Sequence, residues 1–433
     1  MKEVHNFPPG FGKLVFSAGG YTALGNRYHL LVDKKDILAG VYDATSVVRS
    51  GYSITASSSA IDGNAIFLIQ PDGITSAGRT SITDTGRIGI ETRRFDGTIL
   101  RNEISSHIFL QDAGGDPPSD WRLASITAAG DFLYIIFHRP GSGLMYFVRV
   151  QMLSNSFGTP EVLYDLVNGT SLDNSAKNIT HIGDHLYTIG WPVASASTFH
   201  NRITRRSVAD WLNASATPEV FYQGPSTHQS SVSDFVHFDG HIYMHSRRHT
   251  GAFDTKIEKI RVSDGQLVEQ ADVVIDSGYT QWTQYPRFNA DLIRRRLYFF
   301  QAWREDGQTR NKGRLVVLDL DTLALVDNVD LASTYLAGKY PDIHTAAPRQ
   351  MVSDDTNLYA HVAATGDEDY GGQLLVISKD TLAASQVVTL DDSNSALLNG
   401  MAVDPEIVTV LPPFNLNAQN IQGNSALATW DWE

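Results

Sequence analysis

The chain has no cysteine in its 433 residues, which excludes disulfide staples, thiolate metal sites and cysteine nucleophiles together. Disulfides belong mainly to oxidising compartments, so their absence fits assembly in a reducing cytoplasm. Charge is sparse and mostly of one sign: charged residues make up 19% and the formal net charge is −14. Such a field repels phosphate-rich partners, so neither non-specific nucleic-acid binding nor an anionic membrane surface is expected. No apolar run approaches the roughly 18 residues of a membrane-crossing helix. The opening "MKEVHNFPPGFGKLVF" lacks the apolar core and small-residue cleavage site of an export signal, so the expected place of synthesis is the cytoplasm. Helix signals are nearly missing too; only "SVADWLNA" (207–214) and "STYLAGKY" (333–340) read as short helical turns. There is no phosphate-binding loop, dinucleotide fingerprint or nucleophile elbow, and no cofactor is expected.

What is present is repetition. "GRLVVLDLDTLA" from Gly313 and "GQLLVISKDTLA" from Gly372 share seven of twelve positions at an offset of 59 residues. They belong to a wider series of apolar strand, tight turn and apolar strand: "SAIDGNAIFLI", "ITAAGDFLYIIF", "ITHIGDHLYTIG", "FVHFDGHIYMHS", "FNADLIRRRLYFF" and "MVSDDTNLYAHV". The aromatic anchors are Phe67, Tyr134, Tyr187, Tyr243, Tyr298 and Tyr359, with Tyr28 as a weaker first member. After each anchor come a polar loop, an alternating strand such as "KIEKIRV", a turn and a last strand. Asp264-Gly265, Asp321-Thr322 and Asp380-Thr381 suit those turns, because a short side chain can bond the nearby backbone and glycine tolerates positive φ. Valine, isoleucine, leucine and aromatics at period two mark the strands.

Four short antiparallel strands every 55 or so residues make one blade of a propeller, and the chain resembles the β-propeller superfamily over residues 21–411. No WD dipeptide, kelch double glycine or Asp-box series narrows the resemblance. The expected fold is all-β, a propeller of seven blades of four antiparallel strands, preceded by an arm (1–20) and followed by a short β extension (412–433). That extension, "PPFNLNAQNIQGNSALATWDWE", resembles the start of a fibronectin type III module. Two strands alone cannot bury Trp430 and Trp432, so these pack on the propeller or dock on a neighbouring chain.

"HFDGHIYMHSRRH" places His237, His241, His245 and His249 four apart. On a helix this would be a metal stripe, but the Asp239-Gly240 turn and the β-type run predict a strand. There His241, Tyr243 and His245 share one face, with the two histidines about 13 Å apart. They cannot chelate one ion, and no metal site is expected. "GDEDYGG" departs from the spacing of a calcium loop.

In a propeller the loops after the aromatic strands and the links between blades emerge on one face. This face is expected to gather Arg247, Arg248, His249, Trp303 and Arg304 from the first set. Trp282, Tyr285, Arg287 and His344 come from the second. Arg forks grip carboxylate or sulfate, and aromatic faces stack on sugar rings. An acidic glycan or an acidic protein patch fits such a face; the alternative is that each Arg pairs with a neighbouring acid.

Three functions follow as expectations. The first is a non-enzymatic structural and recognition protein of a larger assembly, such as a virion or phage tail. It would join copies of itself or other assembly proteins through termini carrying Phe7, Phe11, Trp430 and Trp432, and use its face for a partner or host glycan. The second is a polysaccharide lyase or glycoside hydrolase acting on acidic glycans, with His249 or His344 as base, Tyr285 as acid and Arg287 as neutraliser. Carboxylate pairs for hydrolysis could come from Asp234, Asp254, Asp291, Asp342 and Asp354. The third is a peptide-binding cytoplasmic scaffold. The assembly role predicts apolar groups exposed on the outer strands.

Overall fold

The structure, a computed structural model, describes residues 13–18, 26–33, 48–49, 54–55, 66–70, 73–79, 87–94, 98–109, 122–138, 145–165, 176–190, 202–213, 216, 218–224, 235–247, 255–273, 279–281, 288–305, 311–331, 334–335, 345–365, 372–389, 401–403, 415–417 and 429–431. The described elements are antiparallel strands. A first sheet of five combines β1 (Lys13–Ala18), β2 (Asn26–Asp33), β3 (Val48–Arg49) and β4 (Ile54–Thr55) with β30 (Met401–Val403) from the other end of the chain. The second holds β5 (Ile66–Gln70), β6 (Gly73–Arg79), β7 (Arg87–Arg93) and β8 (Ile99–Phe109). The third holds β9 (Arg122–Ala129), β10 (Phe132–His138), β11 (Met145–Gln151) and β12 (Glu161–Asp165). The fourth holds β13 (Ala176–Ile182), β14 (His185–Gly190), β15 (Arg202–Ser207) and β16 (Glu219–Gln223).

The fifth sheet is β17 (Phe235–Phe238), β18 (His241–Arg247), β19 (Thr255–Arg261) and β20 (Leu267–Val273). The sixth has five strands, because β21 (Tyr279–Gln281) and β22 (Phe288–Asp291) both pair with β23 (Arg296–Glu305), followed by β24 (Asn311–Asp319) and β25 (Leu325–Asp330). The seventh is β26 (Thr345–Ser353), β27 (Asn357–Thr365), β28 (Gly372–Ser378) and β29 (Ala384–Thr389). β31 (Asn415–Asn417) and β32 (Thr429–Asp431) form a separate two-stranded ladder with Leu416 opposite Trp430.

This is an all-β propeller. Five sheets, not seven, have the regular four-stranded form. The departures have physical causes. β30 pairs with β1, so the first sheet joins both ends of the chain, and residues 13–18, expected in an arm, belong to it. Because β30 supplies the edge strand of that sheet, Tyr28 falls on β2, one strand beyond β1. Phe67 lies on β5, the first strand of its sheet, whereas Tyr134, Tyr187, Tyr243, Tyr298 and Tyr359 lie on second strands. Phe67 is therefore out of phase, which explains the long gap to Tyr134. Within the predicted helical turn at 207–214, residues 208–212 are a run of bends and turns, with Trp211 fully buried.

The cores lie between sheets, as period-two alternation requires. On β18, His245 meets Phe288 of the sixth sheet at 6.3 Å between rings, and Tyr243 donates to Leu320 O at 3.2 Å. Ile242 and Met244, on the other face, pack with Ile182, Tyr187 and Ile203 of the fourth sheet. Trp211 closes the seam between the third and fourth sheets, edge-on to Phe147 at 4.9 Å and Tyr134 at 5.7 Å. Each such buried side chain contributes roughly 1.5–3 kcal/mol through removal from water.

The twelve-residue repeat folds twice into the same turn. Leu323 and Leu382 both have φ 54°. Leu323 N–H donates to Asp319 O and Leu382 N–H to Ser378 O, each at 2.9 Å. The copy is architectural: it closes equivalent third-to-fourth strand turns.

Candidate functional site

Antiparallel strands alternate in direction, so the first-to-second and third-to-fourth turns gather at one end of the propeller. The second-to-third loops and the links between sheets gather at the other.

The turn end carries an ordered polar array. In three consecutive sheets a second-strand tyrosine stands opposite a third-strand cation, which stands opposite a fourth-strand glutamate. The rows are Tyr134, Arg149, Glu161; Tyr187, Arg205, Glu219; and Tyr243, Lys259, Glu269. Arg149 donates to Glu161 at 2.7 Å, and its guanidinium lies 5.0 Å from the Phe132 ring centre. Arg205 donates to both oxygens of Glu219, at 2.7 and 2.9 Å, and to Tyr187 Oη at 3.3 Å. These hydrogen bonds hold the Glu219 carboxyl below its ordinary range. Lys259 behaves differently: its ammonium donates to Leu320 O at 3.1 Å and Asp321 O at 3.2 Å in the next sheet.

Between the sixth and seventh sheets the array becomes a buried ionic knot. Lys379 Nζ lies 3.2 Å from Asp291 Oδ2, and Arg294 Nη1 lies 3.0 Å from the same oxygen. Arg294 also reaches Asp380 Oδ1 at 2.6 Å through Nε. Asp354, equally buried, accepts from Tyr359 Oη at 2.8 Å and from the N–H groups of Thr356 and Asn357. Burial opposes the Asp291 charge, yet Lys379 and the Arg294 donors outweigh it and hold the carboxyl below its ordinary range. Burial pushes the Lys379 ammonium down, against the pull of Asp291. Asp291 and Asp354, both named as possible carboxylates for hydrolysis, thus belong to ion-pair and turn-capping networks.

At the loop end, Arg247 is the last residue of β18, with Thr255 opposite. Trp303 and Arg304 lie near the end of β23, opposite Gln281 and Thr280 on one side and Lys312 and Asn311 on the other. The backbones of these three residues therefore reach the same end of neighbouring sheets. Their side chains lie outside the described residues, as do Arg248, His249, Trp282, Tyr285, Arg287 and His344. Phe7, Phe11 and Trp432, with Asp234, Asp254 and Asp342, also lie outside them.

The histidine run is a strand, turn and strand. His241 Nδ1 lies 2.7 Å from Asp239 O, while His245 is fully buried. Burial, with His241 second, pushes His237 down to about 4. Among the described residues no group of three or more His, Asp or Glu is placed to hold a metal ion.

The tyrosine–cation rows and Lys379 were the features missed in the sequence. Their signal was an Arg or Lys 15 to 18 residues after Tyr134, Tyr187 and Tyr243, and a Lys at 379 where the repeat has Leu320.

No protein-family model and no curated protein matches the chain. Solved structures do resemble it. A Bacteroides fragilis protein provisionally assigned as a 6-phosphogluconolactonase has a TM-score of 0.50 at 12% identity, over 91% of this chain and 98% of that one. A hypothetical selenium-binding protein of Sulfolobus tokodaii has a TM-score of 0.52 at 12% identity, over 90% and 93%. Puromycin hydrolase has a TM-score of 0.50 at 11% identity, over 94% of this chain and 55% of that one. At these identities the likeness is one of fold, the β-propeller, and a fold of this kind hosts many functions.

Proposed function

We propose that the chain is a non-enzymatic recognition and assembly protein whose loop-end face binds an acidic glycan. The observation that carries this reading is the placement of Arg247 and of Trp303–Arg304 at the same end of adjacent sheets. Arginine forks and an indole are the residue types that suit a sugar bearing carboxylate or sulfate. At the opposite end Arg149, Arg205, Lys259, Arg294, Arg295 and Lys379 are engaged by acids and carbonyls of this chain. Within the same proposal, the two five-stranded sheets complete the ring as its sixth and seventh blades. The inner strands support this count, since β30, β5, β9, β13, β17, β22 and β26 approach one another in closed succession. Exposed apolar side chains on outer strands, among them Val220, Leu267 and Leu325, support membership of an assembly. A virion is the setting proposed for it, with copies of the chain or other virion proteins joined at the termini.

The test is binding to sulfated and carboxylated polysaccharides against neutral ones, with native mass measurement in parallel. Charged polymers should bind, and Arg247→Ala with Arg304→Ala should weaken binding at least tenfold, or about 1.4 kcal/mol. Equal binding of neutral glycans would overturn the ligand class. Cleavage of the polymer would overturn the non-enzymatic reading in favour of the lyase or hydrolase, and a clean monomer would overturn the assembly role.

A further inference from the structure

Outer strands of a propeller leave one row of backbone N–H and C=O groups unpaired, and natural sheets usually blunt such edges with charge or proline. Two neighbouring edges here are not blunted. β20 begins Leu267, Val268, Glu269 and β25 begins Leu325, Val326, Asp327, the same pattern at an offset of 58 residues. The apolar side chains are exposed by 39%, 39%, 61% and 43% in that order. Within the described residues β20 pairs only with β19 and β25 only with β24, so both are edges of the described sheets.

The register explains the exposure. Leu267 stands opposite Ile260 and Glu269 opposite Lys259, so Val268 is an extra residue. Leu325 stands opposite Leu318 and Asp327 opposite Val317, so Val326 is the extra one. A bulge bends its strand and leaves the added residue without a ladder partner. Each edge therefore starts with an apolar foot and continues as an acid-bearing strand in regular register. Glu269 is not neutralised by Lys259, whose ammonium is taken by carbonyls of the next sheet. Asp327 faces a valine across the strand.

The other outer strands differ beside the foot: β8 opens on Ile99 and Leu100 at the same kind of bulge, but Arg101 follows. On β16, Val220 is exposed, but its neighbour Glu219 is bound by both guanidinium donors of Arg205. β29 starts Ala384, Ser385, Gln386, small and uncharged at the equivalent bulge. Exposed aliphatic pairs beside an acid that holds no cation among the described residues thus mark the fifth and sixth sheets.

We propose that these two edges are docking strands for an extended segment of a partner protein in which apolar and basic residues alternate. Strand addition supplies the main-chain hydrogen bonds, and the side chains give specificity. The apolar residues cover the Leu–Val foot, and the basic ones meet Glu269 or Asp327. A second copy of this chain is the poorer occupant, because identical acidic edges on a molecule of net charge −14 repel each other. The surface is separate from the loop-end face, so this proposal stands apart from the glycan reading.

The experiment is a titration of the full chain with an eight-residue peptide alternating valine and lysine. Comparison peptides are octalysine, a valine–glutamate alternation and a backbone N-methylated copy of the first. The valine–lysine peptide should bind and the three comparison peptides should not. Glu269→Lys with Asp327→Lys, both exposed, should keep the melting temperature and lose about tenfold or more in affinity. Equal binding of octalysine would reduce the surface to a charge effect, and equal binding of the N-methylated peptide would exclude strand addition. Unchanged affinity in the double variant, or no binding of the valine–lysine peptide, would overturn the proposal.

Discussion

Lys379 Nζ and Asp291 Oδ2 meet at 3.2 Å across the seam between the sixth and seventh sheets, with both side chains only 4% exposed. The pair occupies positions that are apolar in the third, fourth and fifth sheets. Lys379 N–H donates to Thr356 O, as Met152, Val208, Val262 and Leu320 donate to the matching turns. Asp291 ends its inner strand where Ala129, Ile182 and Phe238 end theirs. Removing one partner of a buried pair leaves a charge without its counterion, at a cost of roughly 3–5 kcal/mol. Lys379→Leu should fall at the low end, because Arg294 still holds Asp291. Asp291→Ala with Lys379→Leu should cost less than Lys379→Leu alone, since it restores the apolar pattern. Urea denaturation of the three proteins decides it; a double variant less stable than the single one would refute this account.

Two glycines separate backbone strain from packing. Gly240 and Gly265 have φ 69° and 71°, the left-handed region. A Cβ at Gly240 meets nothing within 4 Å, whereas one at Gly265 would run into the Phe221 carbonyl oxygen of the neighbouring sheet. Gly240→Ala should therefore cost only the left-handed penalty of about 1–2 kcal/mol. Gly265→Ala should cost clearly more, because the fourth and fifth sheets must also separate. Equal losses in thermal or chemical denaturation would mean that the seam yields freely.

The repeat, the turns and the strand faces were legible because they are local. Period-two alternation put His241, Tyr243 and His245 on one face, and Asp-Gly or Asp-Thr marked the turns. Sheet membership was not local. Nothing near Lys13–Ala18 announces that it pairs with Met401–Val403, nor that β21 and β22 share β23, and the count of regular four-stranded sheets suffered for it. The ionic knot was illegible for the same reason, since Asp291 and Lys379 are 88 positions apart and read singly as solvated charges. Asp291 was even a candidate catalytic carboxylate until its partners were placed. Loop chemistry stood in between: sequence order put Arg247 and Arg304 in the loops after the aromatic strands, and the structure carries β18 through Arg247 and β23 through Glu305.

Trp211 tests the seam on the other side of the ring. It is fully buried, edge-on to Tyr134 and Phe147, and comes from a stretch that reads as a helical turn but folds as bends. Trp211→Ala should destabilise by about 3–5 kcal/mol, the range for deleting a large core aromatic. Trp211→Phe should cost less, because part of the edge-to-face contact survives. If both cost the same, the contact with Tyr134 and Phe147 is not what the residue supplies.

His237 and His181 stand at equivalent places on β17 and β13, opposite Ile242 and Leu186. Burial first, and His241 second, push His237 down to about 4. His181 is lowered by burial, partly offset by the Gly183 backbone and Asp184. An unfolded imidazole titrates near 6.5, so on acidification the unfolded chain takes up protons before the folded one does. The stability linked to His237 is thus fully present above about pH 6.5 and is lost as pH falls towards about 4. Asp291 acts lower: its depressed carboxyl contributes above the unfolded value near 3.9 and is lost as pH falls through its folded value. In the upper of these ranges it is the histidines that act. The urea midpoint should decline from about pH 6.5 to about 4, and His237→Gln should flatten that decline while leaving the fall below pH 4 in place. An unaltered slope in His237→Gln would mean that this imidazole is protonated in the folded chain as readily as in the unfolded one.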